Sequence, residues 1–358
     1  MKKWILFLFL LPGFAFAEPY LAIREGLKCS SCHANKTGGG KRTKMGAGYG
    51  TQALPWIKID LRDKKVPTYW SVLDDRLSFG GDFRFLNQSI FEEGNTSNTF
   101  QTDKANLYLD VQALPEMLDF YLDESVAPGG AQSREIFGIF TAMPAHGWIK
   151  AGKFIQPYGI RLEDDNAFIR QVTGFNFANP DLGAEIGFEP RNWSFVAAVT
   201  NGTAGSADNN TGKQVVGNVT FVQDAFRIGV SGSYNPSPQG NKNSGALWAG
   251  LRIKKAVLLG EADIIHEDVD PTHSRNQMVA YSELDYPIIE GWNFKIGYEY
   301  FDPDTGIAEN QRDRVLIGVE PFIVPFLQMS VFYRFNQSIP QNKAQNADEL
   351  TFRIHIYF

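Results

Sequence analysis

Five consecutive residues, Cys29-Ser30-Ser31-Cys32-His33, carry two thiols and an imidazole at a spacing that supports chemistry. C-x-x-C-H is the attachment signature of a c-type haem. The two thiols add across the haem vinyl groups, and the adjacent histidine lies under the iron as an axial ligand. The chain of 358 residues has only these two cysteines. A redox disulfide uses the same pair but usually sits beside a βαβ pattern, which this sequence does not show. A zinc half-site needs a second Cys pair to complete it, and none exists.

A haem iron that transfers electrons generally takes a second axial ligand. Met45 is the nearest methionine, in the glycine-rich stretch Gly38-Gly39-Gly40-Lys41-Arg42-Thr43-Lys44-Met45-Gly46. Such a stretch can fold closely around a flat macrocycle, or serve as a flexible linker. Of the other histidines, His146 falls in a short turn and His266 on an apolar face, with His273 in a polar loop. His355 lies three residues from the C-terminus and points, by alternation, away from the apolar face. Met45 and His355 are therefore the two candidate distal ligands.

The elements that position these residues follow from the rest of the chain. Lys2-Lys3, the apolar run from Trp4 to Leu11 and Ala15-Phe16-Ala17 read as a secretory signal peptide over residues 1–17, with a mature chain from Glu18. An exported chain fits haem attachment after export. No later stretch is long and apolar enough for a membrane helix, and mean hydropathy is −0.24, which excludes a polytopic helical transporter. With 34 basic and 40 acidic residues and no basic tract, a nucleic-acid partner is not expected.

From residue 75 onward, alternating segments near ten residues long are separated by connections that are very short and longer in turn. Trp292, Phe294, Ile296, Tyr298 and Tyr300 share one face against Asn293, Lys295, Gly297 and Glu299. Phe352, Ile354, Ile356 and Phe358 repeat the pattern at the chain end, against Arg353, His355 and Tyr357. Sixteen such segments predict an all-β fold: an antiparallel outer-membrane barrel over 75–358, following a short haem-binding plug and linker over 18–74. The short connections would face the periplasm, and the haem would enter from that side. A soluble all-β sandwich also alternates, but does not require aromatic residues at both strand ends.

With the apolar face toward lipid, Asp82, Asp110, Asp119, Asp123, Glu261, Asp263, Glu283, Asp285, Glu299 and Glu320 point inward. Arg84, Lys295, Arg314, Arg334 and Arg353 stand against them, giving an acidic lumen that favours cations. The connections Glu92–Thr102 and Pro157–Pro180 are expected as long polar loops. The second is expected to be solvated and self-paired; an inward fold would instead constrict the pore, with Asp164 and Asp165 as oxygen donors for a hard cation.

Together the signal peptide, the single motif at Cys29, Cys32 and His33, and a barrel running to the last residue resemble the fused cytochrome–porins. These are monohaem outer-membrane cytochromes associated with Fe(II) oxidation and extracellular electron transfer. The resemblance covers the whole chain as architecture and three residues individually. Family members often follow the motif with a Pro/Leu-containing segment and a Phe-Gly pair, where this chain has Thr37-Gly38-Gly39-Gly40 and Met45-Gly46. The resemblance implies one covalent haem c that carries electrons across the outer membrane of a Gram-negative bacterium. The donor would be extracellular Fe(II) or an electron shuttle, the acceptor a periplasmic c-type cytochrome or other carrier, and the barrel's surroundings outer-membrane lipid. The alternative is a diffusion porin with a redox-sensing haem plug.

Overall fold

A computed structural model describes residues 18–162, 164, 166–208, 210–238, 240–270, 272–337 and 346–358. Residues 1–17, read from the sequence as a signal peptide, Asp165 and the whole of 338–345 lie outside the described residues.

A short strand β1 (Trp70–Val72) pairs antiparallel with β2 (Leu77–Glu92), and the barrel begins there. Among the described residues sixteen strands, from β2 to β17 (Asp348–Tyr357), form one antiparallel sheet. Each pairs with the next in sequence, and β17 closes the ring on β2 with Ile356 opposite Phe83 and Arg353 opposite Leu86. Closure leaves no open edge, which a strand in hydrocarbon cannot tolerate. The terminal Phe358 secures the seam. Its N–H donates to the Gly81 carbonyl at 3.1 Å, the Gly81 N–H donates back at 3.2 Å, and its ring stacks on Phe83.

The period-2 pattern decides which way each side chain points. In β14 (Trp292–Asp302) Ile296 and Tyr298 face outward while Asn293, Lys295, Gly297 and Glu299 are buried. The exterior of the ring exposes Leu107, Phe120, Ile136, Val230, Leu247 and Ile264, an apolar belt that lipid can cover. Exposed aromatics flank it, with Trp193, Phe226 and Tyr286 toward the short connections and Phe91 and Tyr234 toward the opposite rim. Such a barrel belongs in the outer membrane of a Gram-negative bacterium.

Strand bounds follow the sequence reading closely, with one class of departure. Glu92–Thr102 is not a loop: β3 runs Asn95–Leu114, and β2 turns into it through Glu93 and Gly94. Beyond the apolar belt this hairpin is exposed on both faces, so no hydrophobic alternation marks it. It is held instead by polar cross-strand pairs, Asn87 and Asn98 exchanging amide hydrogen bonds at 2.9 and 3.0 Å. Strands β11 (Gly240–Ile253) and β13 (His273–Ile289) extend past their apolar stretches in the same way.

Candidate functional site in the barrel lumen

The N-terminal segment enters the ring of strands. Helix α1 (Pro19–Arg24) starts with proline, which is favoured in a first helical turn, and buries Tyr20 and Ile23 against Trp248, Val257 and Leu259 of the wall. Helix α2 (Cys29–Cys32) is a single turn with His33 as its C-cap, the His33 N–H donating to the Cys29 carbonyl at 3.1 Å. Three-residue spacing on a helical turn puts both thiols on one face. Both cysteines are free and half-buried.

Three consecutive glycines turn the chain back. Gly38, Gly39 and Gly40 have φ of 94°, 77° and 64°, a left-handed path that L side chains resist. The return strand bridges Arg42 to His33, and the Thr43 N–H donates to the Cys32 carbonyl at 2.9 Å. Helix α3 (Lys44–Gly48) follows, N-capped by the Thr43 hydroxyl. It packs so close to α2 that a Cβ at Gly46 would lie 2.2 Å from the Cys32 carbonyl oxygen. Cys29, Cys32, His33 and Met45 thereby line one cavity of about 250 Å³, together with Leu27 and Tyr49.

Barrel side chains hold this segment around its circumference. Asn35 Nδ2 donates to both Glu135 oxygens at 2.9 and 3.0 Å, and Lys150 Nζ donates to Asn35 Oδ1 at 3.0 Å. The Tyr121 hydroxyl accepts from the Lys41 N–H, and Arg227 and Arg252 donate to the Leu27 and Arg24 carbonyls. Lys28 Nζ donates to the Trp193 carbonyl at 2.7 Å, and the Trp56 N–H to that of Phe322. Trp193, Arg252 and Phe322 lie beside short connections, so the segment fills the short-connection half of the lumen as a plug.

From the other side, residues 155–180 also fold into the lumen, against the expectation of a solvated, self-paired loop. Tyr158, Ile160, Leu162 and Ile169 are buried, and helix α4 (Phe168–Gln171) presents the Phe168 N–H to Glu299 at 2.6 Å. The reason is local: apolar residues interleave the charged ones, and their burial against Leu259, Val279 and Tyr281 outweighs solvation of the backbone. Asp164 is bound by Arg334 at 2.6 Å rather than offered to a cation. Arg161 bonds Thr37 Oγ1 at 3.0 Å and also the Gly38 carbonyl, so loop and plug meet beside the cavity.

The lumenal charges point inward as their alternation requires, but as paired groups. Arg84 meets Asp82 at 2.7 Å, Arg314 meets Glu299 at 2.6 Å, and Lys150 and Glu185 pair at 2.8 Å with neither exposed. The acidic excess read from sequence does not make a bare acidic channel, because Lys150, Arg134, Arg170 and Arg227 are also buried inside.

His355 is lumenal and 1% exposed. Its Nδ1 sits 3.2 Å from Gln328 Oε1 and its Nε2 3.1 Å from Asp82, so both ring nitrogens face protein oxygens. His146 ends a 3₁₀ turn in a short connection. The groups lining the cavity thus include two thiols, an imidazole and a thioether. That set fits a covalently attached c-type haem. Sequence reasoning missed Asn35, Tyr121 and Arg161 as plug fasteners, since nothing in their local pattern names a partner eighty or more residues away.

Comparison with known proteins agrees on the barrel. OmpT of Vibrio cholerae, in a form lacking loop L8, superposes with a TM-score of 0.63 at 13% identity, covering 79% of this chain and 99% of that one. The fold is that of a porin-type outer-membrane barrel. An anion-selective porin from Comamonas acidovorans gives 0.59 at 10% identity over 79% of this chain and 99% of its own. The outer-membrane channel DcaP of Acinetobacter baumannii gives 0.60 at 9% identity over 81% and 99%. No family model matches the sequence, and no curated protein does.

Proposed function

We propose that this porin-type barrel carries one covalent haem c in its plug and passes single electrons across the outer membrane. The observation that carries the reading is that Cys29, Cys32, His33 and Met45 all line one cavity inside the ring. Bound there, the haem supplies a one-electron redox centre whose potential depends on its axial ligands and burial. The remaining work belongs to the chain. Cys29 and Cys32 would fix the group and His33 would hold its iron, with Met45 as the further donor in preference to His355, whose two ring nitrogens lie 3.2 and 3.1 Å from Gln328 and Asp82 oxygens.

An apolar band of about 25 Å separates the two compartments, so a centre held within the lumen shortens the gap to each side. The short connections face the periplasm in this reading, and a c-type cytochrome or other carrier docks there. Fe(II) or an electron shuttle approaches from the opposite mouth, past residues 155–180. The resemblance to cytochrome–porins, associated with Fe(II) oxidation and extracellular electron transfer, supports a conduit of this kind; outward flow to an external acceptor uses the same architecture.

A second reading, a diffusion porin whose haem plug senses redox state, is favoured by the likeness to channel-forming barrels. Two measurements separate them. Protein from cells with a c-type maturation system should give a reduced-minus-oxidised haem spectrum that Cys29→Ala abolishes, and Fe(II) should reduce the oxidised form. Met45→Ala should shift that spectrum and His355→Ala should not. Appreciable solute flux through the intact protein, with no electron transfer to a periplasmic cytochrome, would select the sensor porin, and absence of covalent haem would leave a plugged porin.

A further inference from the structure

Glu18, at the start of α1, reaches the wall where β13, β14 and β15 (Arg312–Val324) run side by side. Its carboxylate lies within 4.8 Å of those of Asp285 and Glu320. Lys295 Nζ stands 3.0 Å from Glu18, 3.1 Å from Glu283, 3.3 Å from Glu320 and 3.9 Å from Asp285. Four carboxylates therefore face one ammonium, all of them buried. Taken as ionised, the four acids outnumber Lys295 by three charges, of which the α-ammonium of a chain processed at Glu18 offsets at most one, and each uncompensated buried charge costs several kcal/mol. Protons or a bound cation must make up the balance.

Two neutral oxygens decide between these. The Tyr20 hydroxyl is on a residue 1% exposed and makes no hydrogen bond among the described residues. Its ring centroid is 5.4 Å from Lys295 Nζ. Burial, and then the charges of Glu18, Glu320 and Asp285, push this phenol well above its ordinary range, which puts the hydroxyl in the field of the same three acids. Asn293, 3% exposed, donates from Nδ2 to Asp285 at 2.8 Å and to Glu320 at 3.1 Å, which leaves its Oδ1 without a hydrogen bond. A shared proton would satisfy the carboxyls but neither of these oxygens. A cation between the acids satisfies both sets, the Asn293 amide turning over so that Oδ1 takes the place of Nδ2 there.

We propose that Glu18, Asp285 and Glu320, with Asn293 Oδ1 and the Tyr20 hydroxyl, bind a hard divalent cation of the Ca²⁺ type. The all-oxygen donor set selects this class over softer metals. Lys295 stays paired with Glu283. Because Glu18 belongs to the plug and the other acids to the wall, the cation staples α1 into the barrel. The site is independent of the haem reading.

The test uses full-length protein in detergent, stripped with chelator and titrated calorimetrically with Ca²⁺, then with Tb³⁺ while tyrosine is excited. The expected result is one Ca²⁺ per chain, displaced by Tb³⁺ with sensitised emission. Asp285→Asn and Glu320→Gln should each weaken binding about tenfold or more. Tyr20→Phe should bind with reduced emission. Heat-modifiable migration on gels identifies variants that still form the barrel, and wild-type stoichiometry is decisive even where a variant does not fold. No saturable binding to the wild type, or unchanged binding by a folded Glu320→Gln, would overturn the site and leave protons as the balancing charge.

Discussion

At the level of single residues, the plug depends on a few close approaches. Gly46 is required because α3 presses against the Cys32 carbonyl, where a Cβ would have to sit 2.2 Å away. Gly46→Ala should displace α3 and with it Met45, lowering covalent haem yield several-fold while the barrel still forms; haem stain per folded chain measures this. Cys32 offers a second check. Burial first, and then the neighbouring Cys29, push its thiol above the usual range, with Arg42 pulling the other way. A raised thiol holds less thiolate at any given pH, and thiolate is the nucleophile. In protein made without haem attachment, alkylation of Cys32 should therefore be slow at neutral pH and keep rising beyond the pH at which a free thiol levels off. Mass-spectrometric alkylation rates across pH test the sign.

At the level of elements, the inward segment 155–180 and the plug are two independent insertions that meet at Arg161. The segment is tied to the far wall by Arg334, which pairs with Asp164 at 2.6 Å and Glu349 at 3.4 Å. Arg334→Ala leaves those carboxylates without their partner in a largely buried setting, a loss of up to about 3 kcal/mol when such a pair is broken. The expected outcome is a segment that opens, read as faster proteolysis at Arg161 and Arg170 and a lower denaturant midpoint. Rates equal to wild type would show that the apolar contacts of Ile160, Leu162 and Ile169 hold it alone.

At the level of the molecule, a ring of sixteen strands, a number that leaves an aqueous channel in porins, is entered by chain from both ends. Fastening of the plug through Asn35, Glu135 and Lys150 is buried and mutually satisfied, so spontaneous withdrawal should be rare. Reconstituted in planar bilayers, the intact protein should conduct far less than a variant lacking residues 20–55. A severalfold rise on deletion, with unchanged heat-modifiable migration, is the expected result; equal conductance would mean that ions already pass beside the plug.

The sequence by itself determined the barrel, because strand direction, lipid-facing side and strand count all follow from a period-2 pattern that each segment carries locally. It likewise determined the haem-type motif, since the spacing of Cys29, Cys32 and His33 is a property of one helical turn. It left the β2–β3 hairpin illegible beyond the membrane, where neither face is apolar and polar pairs such as Asn87–Asn98 hold the strands. Only the tertiary structure decided that residues 155–180 turn inward, that Met45 lines the cavity of the motif while His355 sits between Gln328 and Asp82, and that Glu18 completes a buried cluster with Asp285 and Glu320. The first and last of these join residues far apart in the chain, and the register that brings them together is set by all sixteen strands at once; the second is a local fold of the plug, held by the Thr43–Cys32 hydrogen bond.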